Sequence, residues 1–255
     1  MTLKKNSKET ALNKVPEFGI LIPAYKPDLA KLKSLLFQIA EICQFYRYRV
    51  VMVDDGSDLP DSLELTGNVP LQIIRHPKNL GKGAALRTGL QHFVENEKVG
   101  FVITMDADLQ HLPQKIPDFI SRYRGSTLKL ILGYRVRKPG VMPFHRILSN
   151  TLTSLIISAL SGKFIRDSQC GYRLIDRSLI DEFPVKENGF HFESEFLLKC
   201  AWRHVHIGFV SIPTVYQKEK SSIKNIRDTV NFVVLILRLL KERTLGWFLP
   251  TAEVR

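Results

Sequence analysis

Gly100-Phe101-Val102-Ile103-Thr104-Met105-Asp106-Ala107-Asp108-Leu109-Gln110 is the stretch on which the reading of this chain turns. An apolar run of strand length that stops on Asp-x-Asp predicts a buried strand. Its end would deliver two carboxylates of one face to the carboxyl edge of a sheet, where open α/β sheets bind their ligands. Hard oxygen donors at such an edge suit Mg²⁺ or Mn²⁺ holding a diphosphate. A lone Asp-x-Asp would serve equally well to cap the helix near Pro113, so the rest of the chain has to decide between the two uses.

Working outward, Phe18 to Ile22, Arg49 to Val53, Leu71 to Ile74 and Leu128 to Leu132 are further short apolar runs of strand composition. Between them, residues 28–45 place Leu32, Leu35, Leu36, Ile39 and Ile42 at helical spacing, and residues 82–95 do so with Leu86, Leu90 and Phe93. Strand alternating with helix predicts a mostly parallel sheet covered on both faces. After Gly133 the rhythm changes: a basic loop through Pro143, a helix near residues 146–160, a Gly/Cys turn, then a helix over residues 192–204. This half is expected to elaborate the sheet and not to form a separate domain. His204 and His206, alternating with Val205 and Ile207, read as the exposed face of a strand, with no metal role.

Lys and Arg number 37 against 25 Asp and Glu, a net charge of +12 that implies an anionic partner without choosing among nucleic acid, lipid headgroups and nucleotide phosphates. Cys43, Cys170 and Cys200 lie too far apart for a Cys-x-x-Cys zinc site or a disulfide framework, and suggest a reducing, cytoplasmic setting. Residues 1–15 are polar and lysine-containing, a flexible basic arm without the apolar stretch of a secretory signal. Neither Leu152 to Leu160 nor Val230 to Leu240 approaches the roughly 18 unbroken apolar residues of a membrane span.

Three further motifs carry chemistry. Pro23-Ala24-Tyr25 and Asp54-Asp55-Gly56-Ser57 end the first two strands, so Tyr25 and the Asp54/Asp55 pair are expected to converge on a base and ribose. Asn79-Leu80-Gly81-Lys82-Gly83-Ala84-Ala85 combines glycines, a lysine and a helix start. It is neither a dinucleotide fingerprint nor a P-loop, since Leu86 and Gly83 stand where those motifs need glycine and Ser or Thr. Its backbone N–H groups either cradle phosphate or, with the glycines, serve close packing.

Together these stretches, with Gly133-Tyr134-Arg135 and Asp167-Ser168-Gln169-Cys170-Gly171-Tyr172-Arg173, resemble the family 2 glycosyltransferases of GT-A fold, most closely the polyprenyl-phosphate (dolichyl-phosphate) mannose and glucose synthases. The resemblance covers about residues 18–222. It implies a Rossmann-like, mostly parallel α/β sheet flanked by helices, with a C-terminal acceptor-side elaboration. Residues 16–224 would form the GT-A domain and residues 225–255 an amphipathic helix and tail. The expected reaction is inverting, metal-dependent transfer of a hexose from a GDP- or UDP-sugar to a polyprenyl phosphate, with no nucleic acid involved, on the cytoplasmic face of a membrane. The resemblance assigns Asp106, Asp108 and Gln110 to Mg²⁺ or Mn²⁺, and Pro23, Ala24, Tyr25, Asp54, Asp55, Lys82, Asp106 and Ala107 to the donor. Asp108, Arg135 and Arg146 would act at the transfer step, the two arginines on the acceptor phosphate. Family members usually continue the first motif with Asn-Glu, whereas Lys26-Pro27 stands here, so the glutamate contact to the nucleotide is missing.

Glu193 and Glu195 occupy the helix where family members acting on hydroxyls place a catalytic carboxylate. A hydroxyl acceptor would need one of them as general base; a phosphate monoester, with a second pKa of about 6, would not. Arg173 is expected to pair with Asp167 or Asp176 as a structural link. Lys218 and Lys220 lie in a stretch resembling the family's mobile loop, where they would either reach the diphosphate or form a solvated charge run. Residues 226–241 present a broad apolar face, suited either to the membrane interface, with Arg227, Arg238, Lys241 and Arg243 toward headgroups, or to the core.

Overall fold

The computed structural model describes residues 15–57, 59, 69–136, 142–182, 185–189, 191–215 and 225–245, with the side chains of residues 145 and 225–228 left aside. Seven strands form one sheet: β1 (Phe18–Ala24), β2 (Tyr48–Asp54), β3 (Leu71–Arg75), β4 (Phe101–Thr104), β5 (Leu130–Arg135), β6 (Arg173–Asp176) and β7 (Ile207–Ile212), in spatial order β3-β2-β1-β4-β6-β5-β7. Four of the six pairings are parallel; the other two belong to β6, which runs antiparallel to both β4 and β5. The helices are α1 (Leu29–Cys43), α2 (Lys82–Asn96), α3 (Ile116–Tyr123), α4 (Phe144–Ser161), α5 (Ser178–Glu182), α6 (Phe192–Trp202) and α7 (Asn225–Thr244).

The apolar runs are continuous because the central strands are covered on both faces. Phe18, Ile20 and Ile22 of β1, with Phe101 and Ile103 of β4, join the core beneath α1 and α3. Leu21 and Val102, one residue out of step, join the core on the other face, with Leu86, Leu90 and Phe93 of α2 and Phe196 and Leu197 of α6. Helix α2 comes close to β1 because both carry glycine where they meet. A Cβ on Gly19 would lie 2.5 Å from the Phe93 ring, and one on Gly89 would run into Leu21. Helix α1 starts where Asp28 Oδ1 accepts from Ala30 N (2.9 Å) and Lys31 N (3.2 Å), an aspartate N-cap.

Two details of the second half differ from the sequence reading. Strand β5 is displaced toward its end, so Arg135 closes the strand instead of following it. The Gly/Cys turn leads into an unforeseen strand, β6, whose Arg173 lies opposite both Thr104 and Leu132. His204 is not on a strand: it sits in the turn after α6 with φ of 58°. The later strands extend the same sheet, as expected.

Candidate active site

The chain runs from β1 outward to β3 and then crosses to β4 on the other side of β1, so the sequence order reverses between β1 and β4. A crevice must open there at the carboxyl edge. A cleft of about 680 Å³ occupies it, lined among others by Pro23, Ala24 and Tyr25 from β1 and by Asp106, Ala107 and Asp108 from the end of β4. The two motifs singled out as donor contacts therefore face each other. Tyr25 is 49% exposed on the cleft wall, with Lys26 Nζ 5.4 Å from the centroid of its ring. Lys26 and Pro27 line the same wall; Lys26 is held with φ of 45° by its N–H donating to Ser57 Oγ (2.7 Å).

At the floor, Lys82 Nζ lies 2.8 Å from Asp106 Oδ1 and 3.0 Å from Glu193 Oε1. Burial alone would favour neutral forms, but three charges of alternating sign outweigh it. Lys82 is held protonated well above its ordinary range, and Asp106 is pulled down to about 2. Gly171 faces this cluster: a Cβ there would meet Lys82 Nζ at 3.0 Å and Asp106 Oδ1 at 3.4 Å. Thr104 Oγ1 fixes the approach by donating to the Gly171 carbonyl (2.6 Å). Glu193 Oε2 is buried with no hydrogen-bond partner among the described residues.

Asp108 is set differently. Gln110 N donates to its Oδ1 (2.9 Å) and Gln110 Nε2 to its Oδ2 (2.8 Å), while burial and then the neighbouring Asp106 charge push its carboxyl upward. His111, not foreseen, accepts from Asp106 N at Nδ1 (2.9 Å), which leaves its proton on Nε2; burial pushes it toward the neutral form. No cluster of three or more His, Cys, Asp or Glu side chains suited to a metal occurs among the described residues. The donors that fit a divalent cation are the Asp108 carboxylate, the partly exposed side of Asp106 and the Gln110 amide oxygen. That is a sparse, oxygen-only set of the kind Mg²⁺ or Mn²⁺ completes with substrate phosphates and water. The upward push on Asp108, from burial first and the Asp106 charge second, is one that such a cation would oppose.

Several expectations need correction. Asp54 and Asp55 are each 2% exposed. Asp54 Oδ1 accepts from Ser57 N (2.9 Å); Asp55 accepts from Leu80 N (2.9 Å) and Gly81 N (2.8 Å) and meets His76 Nδ1 at 2.7 Å. These carboxylates shape the loops, and only Asp55 borders the cleft. The glycine turn is not an open phosphate cradle: Ala84 N, at the start of α2, donates to the Asn188 carbonyl (3.1 Å), and a Cβ on Gly83 would lie 2.6 Å from the Glu187 carbonyl oxygen. Close packing is what these glycines serve.

Arg135, assigned to the acceptor phosphate, is paired through Nε (2.8 Å) and Nη2 (3.1 Å) with Asp167, whose side chain is buried. Arg173 therefore does not take Asp167 or Asp176; fully buried, it donates to the carbonyls of Cys170 (2.9 Å), Glu193 (2.8 Å) and Ser168 (2.8 Å) and ties β6 to α6. Arg146 is partly exposed on the first turn of α4. Glu195 is spent: it meets Lys199 Nζ (2.6 Å) and Arg238 Nη2 (2.9 Å) and accepts from Lys186 N and Glu187 N. Arg238 thus points inward and not toward headgroups. Lys218 and Lys220 lie outside the described residues.

The sequence profile of Glycosyl transferase family 2 matches residues 20–183 of this chain. The chain is 28% identical over 235 residues to the dolichol-phosphate mannosyltransferase of Pyrococcus furiosus, covering 88% of this chain and 63% of that protein. It is 26% identical over 243 residues to the UDP-N-acetylglucosamine–dolichyl-phosphate N-acetylglucosaminyltransferase of Methanococcus voltae, covering 87% and 94%. Among solved structures, glucosyl-3-phosphoglycerate synthase of Mycobacterium tuberculosis superposes with a TM-score of 0.70 in complex with phosphoglyceric acid and 0.68 with Mn²⁺, UDP and glucosyl-3-phosphoglycerate. Both share 16% identity and cover 91% of this chain and 82% of theirs, a likeness of fold that makes the sheet a GT-A one.

Proposed function

This chain belongs to glycosyl transferase family 2 and is a glycosyltransferase, and from that premise we propose that it moves a hexose from a nucleotide diphosphate sugar to a polyprenyl monophosphate at a membrane surface, with inversion. The observation that carries the reading is the fate of the two α6 carboxylates. Glu195 is locked in ion pairs and Glu193 faces the Lys82 ammonium, so neither stands as a free base in the cleft. A hydroxyl acceptor needs such a base, whereas a phosphate acceptor, largely ionised at neutral pH, does not.

The donor enters between Tyr25 and the β4 end, its diphosphate toward Asp106 and Asp108. Asp108 and Gln110, with Asp106, would hold Mg²⁺ or Mn²⁺; when bound, the cation supplies charge neutralisation for the departing diphosphate. Lys82, locked by Asp106 and Glu193, adds a fixed positive charge at the floor that needs no reorganisation during transfer. The chain's task is mainly to orient two anionic reactants. The dolichyl-phosphate specificities of the Pyrococcus and Methanococcus relatives support the acceptor class.

The membrane surface is favoured by α4, on the acceptor side. Phe144, Leu148, Leu152 and Leu155 fall on one stripe and are exposed, as is Phe164 just beyond. Val230, Val233, Val234 and Leu237 form a second exposed patch on α7, whose Leu235 and Leu239 pack into the core. No described helix is long and apolar enough to cross a membrane. Contact of this kind lies in the interface and is strengthened by the basic charge.

A second reading, transfer to a sugar hydroxyl, is favoured by one observation, the unpartnered Glu193 Oε2. The deciding experiment incubates the protein with labelled GDP- and UDP-hexoses, Mg²⁺ or Mn²⁺, and either a short polyprenyl phosphate or its free alcohol. Label in the organic phase with the phosphate alone supports the leading reading; label with the alcohol alone overturns it.

A further inference from the structure

We infer that Arg238, on the C-terminal helix α7 and remote from the β4 carboxylates, is a positioning residue for the donor cleft: it holds segment 185–189, which in turn holds the glycine turn carrying Lys82. The contacts form an unbroken series. Arg238 Nη1 lies 2.9 Å from Glu187 Oε1, and Nη2 lies 2.9 Å from Glu195 Oε2. Glu195, fully buried, also accepts from the backbone N–H of Lys186 (3.2 Å) and Glu187 (3.0 Å), so one carboxylate joins α6, α7 and the segment. A second pair, Lys186 Nζ to Glu242 Oε1 (3.0 Å), repeats the link one turn along α7.

The other side of the segment lies against the glycine turn. The Asn188 carbonyl accepts from Ala84 N (3.1 Å), and Arg87 from α2 reaches back to the Val185 carbonyl (3.1 Å) and to Asn188 Oδ1 (2.6 Å). Gly81 and Gly83, on either side of Lys82, both abut the carbonyls of this segment, and any side chain there would collide with them. Gly189 itself lines the donor cleft. Lys82 is thereby clamped from one side by the segment and from the other by Asp106 and Glu193. Ion pairs buried on one side and hydrogen-bonded to backbone act as such a clamp because losing either partner leaves the other charge uncompensated.

The kinetic arm of the test rests on the cleft being a donor site; the exchange arm does not. In full-length Arg238→Ala, amide hydrogen exchange at Lys186, Glu187 and Ala84 is expected to quicken by about tenfold or more, while Met105, bonded to Leu21 across β1 and β4, keeps its protection. KM for the sugar nucleotide should rise several-fold with kcat little changed, and Arg238→Lys should recover part of both. Unaltered exchange at Ala84 overturns the inference, whatever happens at residues 186 and 187. If Arg238→Ala does not fold, Glu187→Gln, which removes a single pair, is read by the same Ala84 amide. Should the unaltered protein turn over no sugar nucleotide, the proposed function falls, and Ala84 exchange still decides the clamp.

Discussion

Strand β2 ends on Asp54-Asp55 and strand β4 runs out into Asp106-Ala107-Asp108, at the same edge of the same sheet and one strand apart. Their surroundings differ in what they offer a carboxylate. At the end of β2, Asp54 and Asp55 accept from the backbone N–H groups of Ser57, Leu80 and Gly81. After β4, Asp106 meets an ammonium and Asp108 a glutamine two residues on, and both border the cleft. An acidic strand end is thus not a ligand site by itself. Both carboxylates of the β4 end line the cleft, whereas of the β2 pair only Asp55 does.

The largest expected effect tests the β4 side. Asp108→Ala should lower turnover by about 10²-fold or more, the scale of losing a principal electrostatic contact at the reacting charge, while its thermal midpoint stays near that of the parent. Near-normal activity across a Mg²⁺ and Mn²⁺ titration would remove the distinction between the two ends. On the β2 side the loss should appear as stability: Asp55→Ala leaves two inward N–H groups unmet, at about 1–3 kcal/mol each, visible as a lower denaturant midpoint. An unchanged midpoint with lost donor binding would instead make Asp55 a ligand contact.

A smaller effect is expected from Glu193→Gln. With a phosphate acceptor it should keep turnover within about tenfold, since it perturbs Lys82 without removing a base, whereas a general base would cost about 10² to 10⁴. Measuring kcat with the phosphate acceptor separates the two. The smallest expected effect is a displacement of the pH profile. Its acidic limb should follow the acceptor's own ionisation near about 6 and shift when a phosphonate of different pKa replaces the phosphate. A limb that stays put belongs to the protein.

The strands β1, β2 and β4 were legible in the sequence because burial on both faces writes them as unbroken apolar runs. The cleft followed from where those runs end. Strand β6 was not legible: Arg173-Leu174-Ile175-Asp176 has two apolar residues, and only the gap between β4 and β5 makes a strand of it. The exchange of partners, Asp167 taken by Arg135 and not by Arg173, depends on that same placement. The Lys82–Glu193 pair joins residues from opposite halves of the chain, and no local pattern announces it. His111 carried a faint signal, a histidine directly after Asp106-Ala107-Asp108-Leu109-Gln110, but its role needed the turn at Leu109, whose φ is 63°.

The reversed direction of β6 has a consequence for α4. In a βαβ unit the helix must carry the chain back to the far end of the sheet, so it lies along the strands and its apolar side is used up in covering them. Here β5 finishes, and β6 begins, at the same edge. Helix α4 has no return journey to make. It packs on α6 through residues such as Ile157 and is released from roofing the sheet, so Phe144, Leu148, Leu152 and Leu155 remain outside. One strand laid upside down thus leaves a helix that would have been interior lining with a greasy side turned outward.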